Sequence, residues 1–457
     1  FFSTHPFGNM GLWDAASEDV LEVSGPDLKL SINLKLSMNK PPSDSQWVDF
    51  SELLLLIQMS LPVVGTYLLQ SAFGIVTVTF TGRLGVDDLA GATLGMLFAN
   101  LTGVSTMIGM ISAVDTLASQ AYGMQQYQRV GIIAQRAALI TGLMSVPIVL
   151  LWWNVHPLLV FLGQPPAVAA GASRFLRFLC PGLFPVIIYE IAKKYMQVQG
   201  IVAPVTCIMI ASLLFNAAMT YTLVFPCQLG LIGSAVAVTA SWTFMMTLSL
   251  LYIRFGHRCF PSYTPVDPRQ CWGGWSSRAF SRWRTFLEIG LPSAGQICIE
   301  WWAIELITFE AGLLGVTALA ASTIVVQLQT LLAMISLGIG ISSSVVIGQR
   351  LGAGHLDDAK RSCRAIVLLA LLVGTGLSAL VFLIRNVWAL AFTSDTDVAA
   401  VVRRLLLITG GTVLFDGVQI AMAGVLRGTG LQSRGAVVNF ASQWLVGIPV
   451  GYVLTFR

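Results

Sequence analysis

The chain has 457 residues, of which 55% are hydrophobic and only 11% charged, against the roughly 25% charged residues of an average soluble domain. Its formal net charge of +4 is scattered along the sequence, which excludes the concentrated basic patch of a nucleic-acid binder. With a strongly positive mean hydropathy, the composition is that of a multi-pass integral membrane protein in a lipid bilayer, with no nucleic-acid partner.

Residues 1–50 are polar, mixed in charge and without the apolar core of a signal peptide, and are expected to form a cytoplasmic N-terminal tail. From Leu53 onward, long Val/Ile/Leu/Ala runs are each long enough for a bilayer core of about 30 Å, which takes roughly 20 helical residues per crossing. Eleven crossings are predicted, at 53–78, 90–115, 131–154, 172–197, 204–225, 230–254, 285–309, 318–346, 363–388, 402–424 and 435–456. The runs lack the alternating polarity of barrel strands, so the fold class is an all-α polytopic membrane protein. A basic linker is expected over 256–284. The seven cysteines form no CxxC and read as free thiols packing as small hydrophobes.

Placing the N-terminus in the cytoplasm assigns 19 of the 26 Lys and Arg residues to inner positions, as the positive-inside rule requires. The sequence also repeats. Leu61-Pro62 and Gly65 match Leu291-Pro292 and Gly295, and Gly82 to Leu89 matches Gly312 to Leu319, at an offset of 230. Gln120 and Gly123 pair with Gln349 and Gly352 at 229, and Tyr221 with Tyr452 at 231. Six crossings per copy keep both copies in the same orientation, an arrangement of parallel repeats familiar in secondary transporters. The expected organisation is an N-terminal six-helix lobe over 51–255, the linker, and a C-terminal lobe over 285–457 with five helices. By this arithmetic a twelfth crossing is missing, as from a truncated 6 + 6 design of two pseudo-symmetric bundles.

Acids at bilayer depth cost several kcal/mol unless paired, hydrated or protonated, and mark functional sites. The stretch ICIEWWAIELITFE carries Glu300, Glu305 and Glu310. At about 100° per residue, Glu300 and Glu305 point roughly 140° apart, which suits a helix between a central cavity and a pocket behind it. Glu310 reads as an interfacial acid. Asp416 is the acid of the tenth segment. Asp115 near the inner end of the second reads as structural, and Glu190 with Lys193 and Lys194 as ion-paired at helical spacing. Gln70 occupies the repeat position of Glu300, so the first lobe offers Gln70, Asn100 and Asn216 where the second offers acids. Proton or cation coupling is therefore expected in the second lobe. Trp301 and Trp302 flank Glu300 and could bind an organic cation over a ring face. The histidines, His5, His156, His257 and His355, form no cluster, so no enzyme, metal site or cofactor is expected.

Together, Ser112 to Gly123 (SAVDTLASQAYG), Lys194 to Pro204 (KYMQVQGIVAP), Glu300 to Glu305 (EWWAIE), Leu351 to Gly354 (LGAG) and Gly424 to Gly430 (GVLRGTG) carry a resemblance over residues 50–456. The chain resembles the multidrug and toxic compound extrusion (MATE) transporters, in their eukaryotic branch. The resemblance implies two bundles in a V, alternating access, and export of organic cations, xenobiotics or secondary metabolites in exchange for protons. It also implies transport-essential acids at Glu300 and Glu305, an acid at Asp416 and an asparagine at Asn100. Animal-type members carry an eighth-helix acid where this chain has Gln327, which leaves Gln327 as a cavity-lining residue, and the first-helix acid of bacterial members has no match. Sodium coupling and lipid-linked oligosaccharide flipping are the alternative readings; the second needs a more cationic cavity. The protein is expected to act as a monomer, in the plasma or vacuolar membrane.

Overall fold

The computed structural model describes residues 50–256, 268–393 and 395–456. All the regular structure among them is helical. The long helices are α1 (Phe50–Thr81), α2 (Val86–Gly123), α3 (Tyr127–Trp153), α4 (Pro166–Val198), α5 (Ala203–Val224), α6 (Gly230–Phe255), α7 (Trp283–Leu313), α8 (Val316–Gly352), α9 (Leu356–Ile384), α10 (Thr396–Thr429) and α11 (Gln432–Thr455). They fall on the eleven predicted segments but run past several of them, because α2 and α8 continue as helix beyond their apolar stretch into polar ends near Gln120 and Gln349. Ten are long and apolar enough to cross a membrane. The exception is α7, whose Gln296, Glu300 and Glu305 dilute an otherwise apolar stretch of the same length. The predicted tail and part of the predicted linker lie outside the described residues.

Two helices carry a π-helical segment: Asn100–Val104 within α2 and Ala441–Gly447 within α11. Such a segment inserts a residue into the turn and frees backbone groups for other partners, often at functional sites.

Within each half, helices meet through small residues and local hydroxyls, as membrane helices do where lipid gives no hydrophobic drive for association. Pro62 in α1 offers its carbonyl to Thr206 of α5 at 2.8 Å, and Asn216 of α5 donates to Ser241 of α6 at 3.0 Å. Gly340 of α8 and Gly424 of α10 press together so closely that a Cβ on Gly424 would stand 1.9 Å from the Gly340 carbonyl oxygen.

The contact between the halves is reciprocal. Gly109 of α2 lies against Ala294 of α7, and its repeat partner Gly338 of α8 lies against Val64 of α1, the repeat partner of Ala294. Gln120 of α2 donates to the carbonyl of Gly428 at 3.1 Å, while Gln349 of α8 donates to the carbonyl of Val198 at 2.7 Å. A Cβ on Gly123 would stand 2.0 Å from the Gln349 oxygen, and one on Gly352 2.1 Å from the Gln120 oxygen. Residue i of one half touches j of the other and j's counterpart touches i's, the pattern of a two-fold interface. These contacts gather at the end of the molecule that carries the α6–α7 linker, where Arg350 also makes a forked pair with Glu52 at 2.8 and 2.7 Å. Toward the other end, Ile307 and Leu313 on α7 and Val316 on α8 are exposed.

Four basic residues counted as inner-loop charges, Arg136, Lys193, Lys194 and Arg427, are instead buried within helices.

Gly424→Val is expected to force α8 and α10 apart and to cost about 2 kcal/mol or more by overpacking, whereas Gly411→Ala, which meets nothing within 4 Å, leaves stability unchanged. Thermal unfolding of the purified variants in detergent compares the two; equal midpoints would contradict this packing.

Candidate functional site

Of the acids singled out in the sequence, several are committed to cations. Glu190 pairs with Lys193 one turn along α4 at 2.8 Å, with exposures of 5% and 0% for the two side chains. Asp115 of α2 pairs with Lys194 of α4 at 2.7 Å, both buried. Lys194 therefore reaches across to another helix, where the sequence reading grouped it with Glu190. Glu52 is held by Arg350.

The acids of the second half are placed differently. Glu300 sits half-buried in the middle of α7, and the turn around it is fixed by neighbours rather than by a counter-ion. The carbonyl of Ile299 accepts the indole N–H of Trp444 at 3.1 Å, from the π segment of α11. Trp302 donates to the carbonyl of Leu101 at 3.3 Å, in the π segment of α2. Cys298 Sγ lies 3.6 Å from the hydroxyls of Ser105 and Thr106. Two irregular segments from opposite halves thus clamp α7 on either side of Glu300. The charged groups whose fields reach Glu300 are Arg427 and Asp416, yet among the described residues no ion pair joins Glu300, Glu305 or Asp416 to a cation.

Glu305, half-buried, lies further along α7, and Asp416 is exposed on α10 beside exposed Phe415. Trp301 is half-buried and Trp302 is 45% exposed. Asn100 is exposed and opens the π segment of α2. Gln327 is half-buried in the first half of α8. Gln70, the repeat counterpart of Glu300, is taken up within its own half: its amide donates to Glu190 at 3.4 Å and its carbonyl accepts from Lys193 at 3.3 Å.

Sequence reasoning undervalued two groups. Lys193 is enclosed by more than its acid: its ammonium stands 4.7 Å from the ring centroid of Tyr67 and 5.5 Å from that of Tyr189, a cation–π enclosure in a desolvated place. Arg427, 9% exposed, has an Nε without a hydrogen-bond partner and rests its fork against Gly340. Its backbone carbonyl is bound from the other half by Thr116 at 2.6 Å. The signal for both was the rule applied to the acids, since a Lys or Arg in an apolar helix is equally costly. No group of three or more metal-binding side chains occurs among the described residues.

The sequence model of the MatE family matches the chain twice, at residues 62–222 and 292–453. The chain is 36% identical to multidrug and toxin extrusion protein 2 of Mus musculus over 405 residues, covering 88% of this chain and 68% of the relative. It is 33% identical to protein DETOXIFICATION 16 of Arabidopsis thaliana over 401 residues, covering 87% and 81%. Its fold is similar to the crystal structure of the eukaryotic MATE transporter AtDTX14, with a TM-score of 0.82, 28% identity and 89% of each chain covered.

Lys193→Met strands Glu190 without its cation in a buried place and is expected to cost about 3–5 kcal/mol. Combining it with Glu190→Gln recovers most of that loss, read as the midpoint of thermal unfolding in detergent. If the double variant is no more stable than the single one, the pair is not what holds Glu190.

Proposed function

Since this chain belongs to the MatE family, whose members are multidrug and toxin extrusion transporters, we propose that its xenobiotic efflux runs as a proton-coupled antiport of organic cations, with alternating access between the two halves. The observation that carries the reading is the contrast among the acids. Glu190 and Asp115 are neutralised inside the protein, whereas Glu300 sits on a turn held by two indoles and pairs with no cation among the described residues. An acid so placed can be neutralised by a proton or by the cationic part of a substrate, and one displaces the other. This mutual exclusion is what an antiporter needs, because it ties the two fluxes together at one site.

In this mechanism Glu300 is the exchange site, Glu305 serves the pocket on the other face of α7, and Asp416 assists from α10. Asn100, Gln327, Trp301 and Trp302 line the path, and Gln70 borders it from the first half beside its partners Glu190 and Lys193. The reciprocal contacts at the linker end close one side while the other lies open. Reversing the access then means separating Gln120 from Gly428 and Gln349 from Val198, with each half moving as a body.

Glu300→Gln is expected to abolish export of tetraethylammonium driven by a proton gradient in proteoliposomes, with the protein still inserted at the wild-type level. Normal export by this variant would refute the assignment, and export that follows a sodium gradient at clamped pH would replace proton with sodium coupling. Gly123→Leu and Gly352→Leu, which block the linker-end closure, should each lower export at least tenfold. They should also speed maleimide labelling of Cys298 from the linker side in a variant retaining only that cysteine; unchanged export and labelling would rule out this closure as part of the cycle.

A further inference from the structure

The ammonium of Lys193 has more partners than an ion pair requires. It meets both carboxylate oxygens of Glu190 at 2.8 Å, donates to the side-chain carbonyl of Gln70 at 3.3 Å, and stands 4.7 and 5.5 Å from the ring centroids of Tyr67 and Tyr189. Tyr67 and Gln70 lie one turn apart on α1 and the others on α4, so two helices close around one nitrogen. The lysine side chain is 0% exposed. A buried ion pair is often no more stabilising than apolar residues of the same volume, so stability alone does not account for this arrangement. A carboxylate, an amide oxygen and two ring faces are, however, the groups with which a protein holds a cationic ligand. Here the cation belongs to the protein.

The internal repeat supplies the comparison. At the offset of 230, Gln70 corresponds to Glu300, Glu190 to Ile420 and Lys193 to Ala423. Asp416, Ile420, Ala423 and Arg427 follow one another at intervals of four, three and four residues, which places them on one face of α10. The charged groups that act on Glu300 are the two ends of that stripe, Asp416 and Arg427. Thus α10 turns the face of Ala423 toward Glu300, as α4 turns Lys193 toward Gln70. The first half holds a cation fixed to the chain at this place, and the second half has a methyl group there, beside an acid that no ion pair joins to a cation among the described residues.

We propose that Lys193 is a tethered cation filling a site in the first half that is built for an alkylammonium group, and that by filling it Lys193 keeps cations of the surroundings out of that half. The covalent attachment matters. A lysine fixed to α4 has already given up the translational freedom that a free ligand loses on binding, so an outside amine does not displace it. Gln70, half-buried, is the border between this enclosure and the path. Taken with the proposed role of Glu300, on which this last step rests, cation exchange is confined to the second half, and Lys193 sets which half serves the substrate.

The test removes the tether and returns the cation as a free ligand. Lys193→Ala deletes the atoms of a propylammonium ion, and a cavity left by a truncated side chain takes up a small ligand of matching shape. The full chain is purified in detergent and its thermal midpoint is read with n-propylammonium or, as the uncharged counterpart, 1-propanol. Every chain compared carries Glu300→Gln, so the outcome does not depend on whether Glu300 is the exchange site.

With Lys193 in place, propylammonium should leave the midpoint unchanged. In Lys193→Ala it should recover at least about half of the midpoint lost, saturably, as a ligand that binds only the folded state does, and 1-propanol should not. Adding Glu190→Gln to Lys193→Ala should abolish the recovery. If Lys193→Ala does not accumulate as folded protein, Lys193→Met keeps the stem and lacks only the nitrogen, and the ammonium ion becomes the probe with the same expectations. No recovery by the amine, equal recovery by the alcohol, recovery that survives Glu190→Gln, or an equal shift with Lys193 in place would overturn the proposal.

Discussion

A charge carried into an apolar layer by a helix must be neutralised there, and everything else in this molecule is arranged around how each charge meets that requirement. Glu190 and Asp115 meet it internally, with Lys193 and Lys194 one to three turns from the closure between the halves. Arg350 and Glu52 meet it at the linker end. Among the described residues no side chain forms an ion pair with Glu300, although the indoles of Trp302 and Trp444 hold the helix on both sides of it. The contrast divides the described acids at membrane depth into those paired within the fold and those, Glu300, Glu305 and Asp416, that no ion pair joins to a cation, and it does so without reference to any ligand.

Rigidity on both sides of an uncommitted acid has a mechanical side. Two π segments, one from each half, bring a freed backbone carbonyl and a tryptophan to α7, so α7 is the element at which both bodies are felt. Elsewhere the halves touch through glycines and carboxamides and through apolar side chains, Leu56 of α1 packing among Ile339 and Val346 of α8, and Val63 and Tyr67 of α1 against Ile341. Within each half the Gly340 and Gly424 contact binds α8 to α10 at backbone distance.

The helices were legible because length and hydropathy alone decide what can span a bilayer, and the repeat was legible because Leu-Pro, Gly and Gln signatures recur at a nearly constant spacing. Their ends were less so, since the polar continuations of α2 and α8 depend on the opposite half. Glu300 was visible as an acid in an apolar run. Its lack of an ion-pair partner among the described residues was not, because pairing is a fact of tertiary structure: by spacing alone Lys194 would have been assigned to Glu190, but it bonds Asp115, which is 79 residues away. The commitment of Gln70 to its own half, the π segments and the buried Arg427 were likewise invisible, as each depends on which helices become neighbours.

The reciprocal interface has one more consequence. In a pair of identical subunits, any substitution at a two-fold contact acts twice and must be tolerable in both places. Carrying the two copies in one chain removes that restriction, because each position and its counterpart can change independently while the shared geometry of contact is retained. Gln120 and Gln349 have stayed alike where both must close the same gap. Gln70 and Glu300, like Gln125 and Gly354, differ between the two copies. Symmetry here constrains the shape of the contact while leaving the chemistry of each position free to differ between the two copies.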